Sequence, residues 1–416
     1  MPLRTGRELK KVFQEICPFE PDGRLKPEEE RFTVLASNAN IPVEIQMTAF
    51  VQAAAAGEGS PHIVQISQNC SRTTGHHPKA TAFLEGVKRT NASRPIAVGA
   101  ARAKRILEEF VEDFGAELVF ASLDHFTAPS FDPELYSTSQ GSGGLDSVVA
   151  KARIDEAIEV MRPVYGKEVD ISRELYRAYI NYLCSDAVGE YRKDFLGAVD
   201  LAKPAWSMID TGELPPVLNF ALSKDLATAV RKELDNQDTM IEAEISATGV
   251  SGKGGGYEKL TGEKLESYKQ KVILFVKFIG AEGISYDIGM KHAAKKGEKH
   301  EPDIERLETV QRGLFLELGE YIPFAQHGGT GAAKVIRGLV GKNNINTQYL
   351  VDAANYLLDY CEKNRDAIRA GSKSASGRNL YINMVTPQAE RAVSKMKEAG
   401  SFGLAPRLLK VLNERH

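Results

Sequence analysis

Eight short apolar or β-branched runs, each closing on polar residues and most separated by a helix-like stretch, constrain this chain more than any other feature. They are FTVLASN (32–38), HIVQIS (62–67), ELVFASLDH (117–125), AWSMIDT (205–211), TMIEAEIS (239–246), GISYDIG (283–289), YIPFAQHGG (321–329) and KNNINTQ (342–348). Stretches between them, such as ARAKRILEEFVEDFG and KLESYKQKVILFVKFIG, carry apolar residues at three- and four-residue spacing. Strand then helix, eight times over, is the pattern of a parallel barrel or of a long doubly wound sheet. The polar residues select between the two. They gather at the C-terminal end of every run, and a barrel brings all eight strand ends to one mouth, whereas a doubly wound sheet collects only those near its switch point. The reading is an α/β chain folded as a (β/α)8 TIM barrel.

The regular spacing fails once, where about 80 residues separate DHF from AWSMID. A helical insertion is expected there, residues 131–203, between strands three and four. Its first part, APSFDPELYSTSQGSGGLD, reads as a loop; the rest, from SVVAKARIDEAIEVMRPVYG onward, reads as helices. A lid, an oligomer contact and a decorating layer without a chemical role all fit such an insertion. GVSGKGGGYEKLTGEK after strand five has the glycine content of an active-site loop. Residues 351–416 read as extra C-terminal helices, with a basic break at RAGSKSASGRN. The 416 residues exceed the roughly 250 of a plain barrel, a length that one large domain with insertions and two domains fit equally; the reading taken is a single barrel domain over residues 1–416.

Charge narrows the partners. The 53 basic and 56 acidic residues are well mixed and leave a net charge of −3, which implies no broad surface for nucleic acid or for an anionic membrane. A small-molecule partner is expected instead. The start, MPLRTGRELKKVF, has no apolar signal core, and no run approaches the roughly 18 apolar residues of a membrane span, so a cytoplasmic location is expected. Cys17, Cys70, Cys184 and Cys361 are far apart and read as reduced structural thiols.

Only eight histidines occur, and His125, His292 and His327 fall at or just past the ends of strands three, six and seven. Three imidazoles on one barrel face, with carboxylates beside them, suit a catalytic divalent ion such as zinc, which takes three protein ligands and keeps a position open. Asp124 directly precedes His125, so on a regular strand its side chain points to the opposite face; a turn at the barrel rim would bring both to the mouth. Glu242 and Glu244 are two apart and share a face. If that face is the interior they need a cation or a proton between them; otherwise both point outward to helices or solvent. HGGTG (327–331) and NINT (344–347) end strands seven and eight, where barrels often bind phosphate. Gly328, Gly329 and Gly331 allow backbone to approach an anion, while Thr330 and Thr347 supply hydroxyl donors.

Taken in order, these motifs resemble the class II fructose- and tagatose-bisphosphate aldolase family. Its members read approximately N in strand one, then VQxS, TDH, HMxD, ExEIG, GNVHG, HGGSG and NIDT. This chain has Asn40, VQIS (64–67), LDH (123–125), SMID (207–210), EAEIS (242–246), GMKH (289–292), HGGTG and NINT, over about residues 30–350. The resemblance implies that His125, His292 and His327 bind one catalytic zinc, with Glu244 at a second, buried ion position and a monovalent cation near the phosphate. It implies that Asp124 takes the proton from the substrate's 4-hydroxyl and that Asn344 contacts the ketose near the bond that breaks. Gly328, Thr330 and Thr347 would hold one phosphate, with Asn40 and Ser67 at the other end of the substrate. The implied reaction is reversible cleavage of fructose 1,6-bisphosphate to dihydroxyacetone phosphate and glyceraldehyde 3-phosphate through an enediolate. No lysine Schiff base is required, and Lys291 and Lys334 read as surface or phosphate groups. Homodimers or homotetramers are implied.

Three positions depart from the family pattern. Asn346 replaces the aspartate of NIDT, among the residues expected to bind substrate. Ala293 replaces the glycine after GNVH, and the loop after strand five lacks paired acids, which leaves Glu258 as the candidate for the second proton transfer. These departures keep open a tagatose-bisphosphate or other phosphorylated-ketose substrate, and a non-catalytic companion subunit. A zinc hydrolase on a barrel would call for an HxH on strand one, which is absent.

Overall fold

The computed structural model describes residues 3–40, 43–77, 80, 94–138, 141–245, 257–290, 301–332 and 334–414. Eight parallel strands run in chain order: β1 (Val34–Ala39), β2 (His62–Ser67), β3 (Val119–Thr127), β4 (Trp206–Asp210), β5 (Met240–Glu244), β6 (Gly283–Ser285), β7 (Phe324–Gln326) and β8 (Val340–Ile345). β8 pairs back onto β1, with Asn343 opposite Leu35, so the sheet is a closed barrel without an edge. The (β/α)8 architecture read from the sequence is the one the chain adopts.

β6 and β7 are shorter than the runs that announced them. After Ser285 the backbone turns, with Gly289 at φ 81° and its N–H donated to Asp287 Oδ1. After Gln326 it enters a tight turn on Gly328 at φ 71°. In both places polar residues take over, which moves functional side chains from the wall of the barrel to its rim.

The helices Val43–Ala55, Pro95–Phe114, Asp186–Ala202, Pro216–Lys232, Gly262–Ile279 and Ile304–Leu318 cover the strands. Arg378–Glu398 packs against both Val43–Ala55 and Thr347–Lys363 and covers β1, so C-terminal helices belong to the outer layer. Between β3 and β4, Asp186–Ala202 packs on β3 and on Pro95–Phe114 as a member of that layer. Pro133–Thr138, Ser147–Tyr165 and Arg173–Leu183 are the added part. A cluster of Phe131, Tyr136, Tyr179 and Tyr182, with ring centroids 5.2–5.9 Å apart, fastens this addition, each such pair contributing about 0.5–1.5 kcal/mol beyond its buried area. Tyr182 also donates its hydroxyl to the Pro129 carbonyl, which ties the addition to the chain leaving β3.

The helix Gly6–Glu15 opens on a capping box between Thr5 and Glu8 and buries Leu9, Val12 and Phe13. Phe13 packs on Trp206, the first residue of β4, at 5.6 Å, so this helix closes the end of the barrel opposite the mouth. Among the described residues, no helix is long and apolar enough to cross a membrane.

Candidate active site

β3 supplies the most reactive pair of residues. The β3–β4 register shifts between Leu123 and Phe126, and His125 takes φ 51°, a left-handed conformation uncommon outside glycine. This bulge removes the alternation that would have separated Asp124 from His125: Asp124 Oδ2 lies 3.6 Å from His125 Nε2. The fully buried Asp124 carboxylate accepts Asn38 Nδ2 on Oδ2 and Gln65 Nε2 on Oδ1, both at 2.7 Å. Two amides from β1 and β2 therefore fix the carboxylate's plane.

Asp210, the last residue of β4, accepts hydrogen bonds from His125 Nδ1 at 3.2 Å and Thr127 Oγ1 at 2.7 Å. Burial alone would raise its pKa, but its bond to His125, the charge of that ring and the Thr127 hydroxyl outweigh burial and lower it. For His125 burial disfavours the charge, yet Asp124, Asp210 and Glu244 together push its pKa up to about 10. Three carboxylates thus converge on one imidazole, an excess of negative charge that a divalent cation in place of the ring proton would answer.

β5 settles the direction of the paired glutamates, because both are buried and Glu242 meets Lys342 at 2.7 Å. Lys342 is on β8, which is not a neighbour of β5, so this contact crosses the barrel interior. Glu242 also accepts Trp206 Nε1 at 2.5 Å and pairs with His327 Nε2 at 3.1 Å. Burial is outweighed by the Lys342 charge and by His327, which hold the Glu242 carboxyl well below the usual range. Glu244 lies one pleat nearer the mouth, packed so closely on Gly212 that a Cβ there would come within 2.7 Å of its Oε2.

β7 and β8 complete the rim. His327 lies edge-on to His125, with ring centroids 4.9 Å apart. Behind it the Gly329–Gly331 turn presses against β8, where a Cβ on Gly329 would fall 2.2 Å from Asn343 Oδ1. Thr330 Oγ1 accepts the Gln348 N–H at 3.4 Å, and Thr347 is the first residue of the helix Thr347–Lys363, so the turn and the helix start are adjacent. Asn40 donates its side-chain amide to Asn346 Oδ1 at 2.7 Å and accepts Ser67 Oγ at 3.2 Å, which joins three expected binding residues in one network. Asn344 is buried, and among the described residues neither atom of its side-chain amide has a partner.

The structure therefore brings Asp124, His125, His327 and Glu244 to one end of the barrel, beside the network of Asn40, Ser67 and Asn346. His292 lies outside the described residues, as do Lys291, Ala293 and the first half of the glycine-rich loop, GVSGKGGG. Glu258 is on the solvent side, its side chain 68% exposed and paired with Lys264 at 3.0 Å. Among the described residues no group of three or more His, Cys, Asp or Glu side chains has a metal-holding arrangement. His125 and His327 are nevertheless neighbours, with ring centroids 4.9 Å apart, and each has one ring nitrogen bonded to a carboxylate.

Sequence reasoning did not assign Asp210, Lys342, Asn38 or Gln65. Asp210 and Gln65 sit within SMID and VQIS, and a lysine heading the run KNNINTQ was a signal that the barrel interior holds charge. Asp210→Asn tests its hold on His125: divalent-ion affinity, measured by competition with a chelator, is expected to fall about 10–100-fold. Unchanged affinity would remove Asp210 from the site.

Residues 200–403, just under half of the chain, match the family model described as fructose-bisphosphate aldolase class-II. No curated protein matches the sequence. Among solved structures, the chain is similar to the fructose-bisphosphate aldolase from Campylobacter jejuni, with 16% identity, a TM-score of 0.58 and 97% of each chain covered. It also aligns with the YdjI aldolase from Escherichia coli K12, with 14% identity, a TM-score of 0.49, and coverage of 97% of this chain and 100% of that one. The matched segment holds Glu242, Glu244, His327 and Asn344, and barrel closure brings Asp124 and His125 to the same mouth from outside it. By that match residues 200–403 are similar to class II fructose-bisphosphate aldolases, and the solved structure from Campylobacter jejuni shares the barrel fold of the chain.

Proposed function

We propose that this protein cleaves fructose 1,6-bisphosphate reversibly to dihydroxyacetone phosphate and glyceraldehyde 3-phosphate, using one zinc ion held by His125, His327 and His292. The observation that carries this reading is the convergence of Asp124, Asp210 and Glu244 on His125, 4.9 Å from His327. That donor set fits a borderline-soft divalent ion with nitrogen ligands and nearby oxygen ligands. When bound, the ion would act as a Lewis acid for the enediolate, whose charge is shared by two oxygens.

The chain's own residues supply the rest. Asp124, oriented by Asn38 and Gln65, takes the proton from the 4-hydroxyl as the bond between carbons 3 and 4 breaks, and its electron pair goes to the dihydroxyacetone phosphate half. Asn344 offers a buried amide to that half. Gly328, Thr330 and Thr347 cradle one phosphate where a glycine turn meets a helix N-terminus, with Asn346 beside it. Asn40 and Ser67 receive the other end of the substrate. Return of a proton to carbon 3 is assigned to Glu258, the first acid of the glycine-rich loop, which would have to leave its exposed pair with Lys264 to act there.

A coupled assay for triose phosphate release tests reaction and substrate together. Release is expected from fructose 1,6-bisphosphate, with loss of activity on chelation and recovery on adding zinc. Faster release from tagatose 1,6-bisphosphate or fructose 1-phosphate would reassign the substrate, and release from none of them would support a companion subunit.

A further inference from the structure

Below the mouth, Glu242 gathers hydrogen bonds from three parts of the chain: Trp206 Nε1 on β4 at 2.5 Å, Lys342 Nζ on β8 at 2.7 Å and His327 Nε2 after β7 at 3.1 Å. Glu242 and Lys342 side chains are both 0% exposed. Lys342 Nζ also lies 5.0 Å from the centre of the Trp206 ring, a cation over an aromatic face. Trp206 is itself pinned, between Phe13 at 5.6 Å and Gly283, where a Cβ would come within 2.3 Å of the indole.

Barrel interiors are ordinarily filled by branched apolar side chains, and the desolvation of a buried ion pair often exceeds its Coulombic gain. Stability alone is therefore a poor reason for this pair. What it does provide is an acceptor-only group in a fixed place. A carboxylate whose one oxygen takes both a buried ammonium and an indole N–H has no proton to give, so the bond to the imidazole runs from His327 Nε2–H to Glu242 Oε1. With the proton on Nε2, the imidazole lone pair is on Nδ1, and the ring plane is set by Glu242.

Resting on the reading that the mouth holds a divalent ion, we propose that Glu242, locked by Lys342 and Trp206, is a positioning residue that fixes the tautomer and orientation of His327, so that His327 Nδ1 meets the ion. The proposed metal site is thereby linked to the packing of Phe13 on Trp206 at the far end of the barrel through buried side chains in contact.

Glu242→Gln is the informative change. A glutamine has one acceptor oxygen, which takes the place of Oε2 and keeps both donors, Lys342 and Trp206. Its amide nitrogen then faces His327, whose Nε2 must accept, and the ring proton moves to Nδ1. In the full-length, metal-free protein labelled with 15N-histidine, His327 is expected to switch from the Nε2–H to the Nδ1–H tautomer. Zinc affinity, measured against a competing chelating dye, is expected to fall about 10–100-fold. The double variant Glu242→Leu with Lys342→Met removes both charges together and so keeps the melting temperature close to that of the unaltered chain, while zinc affinity falls by the same order.

If either variant binds zinc as tightly as the unaltered chain, Glu242 merely balances Lys342 and the proposal is overturned. An unaltered chain that takes up no zinc overturns the functional reading as well, so the two failures are distinguishable.

Discussion

His125→Asn is expected to cost the protein its divalent ion and, with it, cleavage. In the proposed zinc site this side chain would reach the ion through Nε2 while Nδ1 stays bonded to Asp210 at 3.2 Å, a double task that asparagine cannot perform. Loss of one of the three proposed ligands should lower affinity by more than about 100-fold, the upper end of what an outer-shell partner costs. Asparagine is preferred to alanine because the backbone here has φ 51°, a region that asparagine tolerates well. A loss seen in His125→Asn therefore reports on the imidazole, whereas His125→Ala would add strain of about 1 kcal/mol or more. The measurement is metal content after dialysis, set beside triose phosphate release and a melting curve. Near-stoichiometric zinc in a folded His125→Asn protein would remove this residue from the ligand set.

The same bulge marks the boundary of what the sequence could disclose. Strand existence and order were legible, because eight polar-ended runs alternate with helical spacing and each run contains or overlaps its strand. The relation between Asp124 and His125 was not. Adjacent residues alternate on any regular strand, and only the register shift between Leu123 and Phe126 turns both to one side. Lys342 escaped for a related reason. Its partner Glu242 is on the opposite wall, 100 residues earlier in the chain, and no local pattern encodes a contact across a barrel. Asn346 was legible as a departure from the family motif, but its bond to Asn40 appears only once β8 closes on β1. Rim chemistry of this kind is carried by side chains from distant strands, and closure of the sheet is what assembles them.

Asp124→Ala separates proton transfer from metal retention. The Asp124 carboxylate is held by Asn38 and Gln65 at 2.7 Å each and lies 3.6 Å from His125 Nε2, close enough to share the substrate with the ion without taking the place of the imidazole. Removing it leaves the bond between His125 and Asp210 in place, so zinc content is expected to stay near that of the unaltered chain. Turnover should fall about 10²–10⁴-fold, the usual contribution of a positioned general base, which corresponds to roughly 3–5 kcal/mol on the barrier. KM should change less than kcat, because the phosphate contacts proposed for Thr330 and Thr347 and the Asn40 network do not involve this carboxylate. Asp124→Asn is the companion measurement. It keeps volume but brings a third amide against Asn38 and Gln65, one of which must lose its acceptor, so it should lose turnover equally and also some stability. If Asp124→Ala turned over at the normal rate, the proton of the 4-hydroxyl would have to leave by another group. Asp210, already bonded to His125 at the same rim, would then be the base to test.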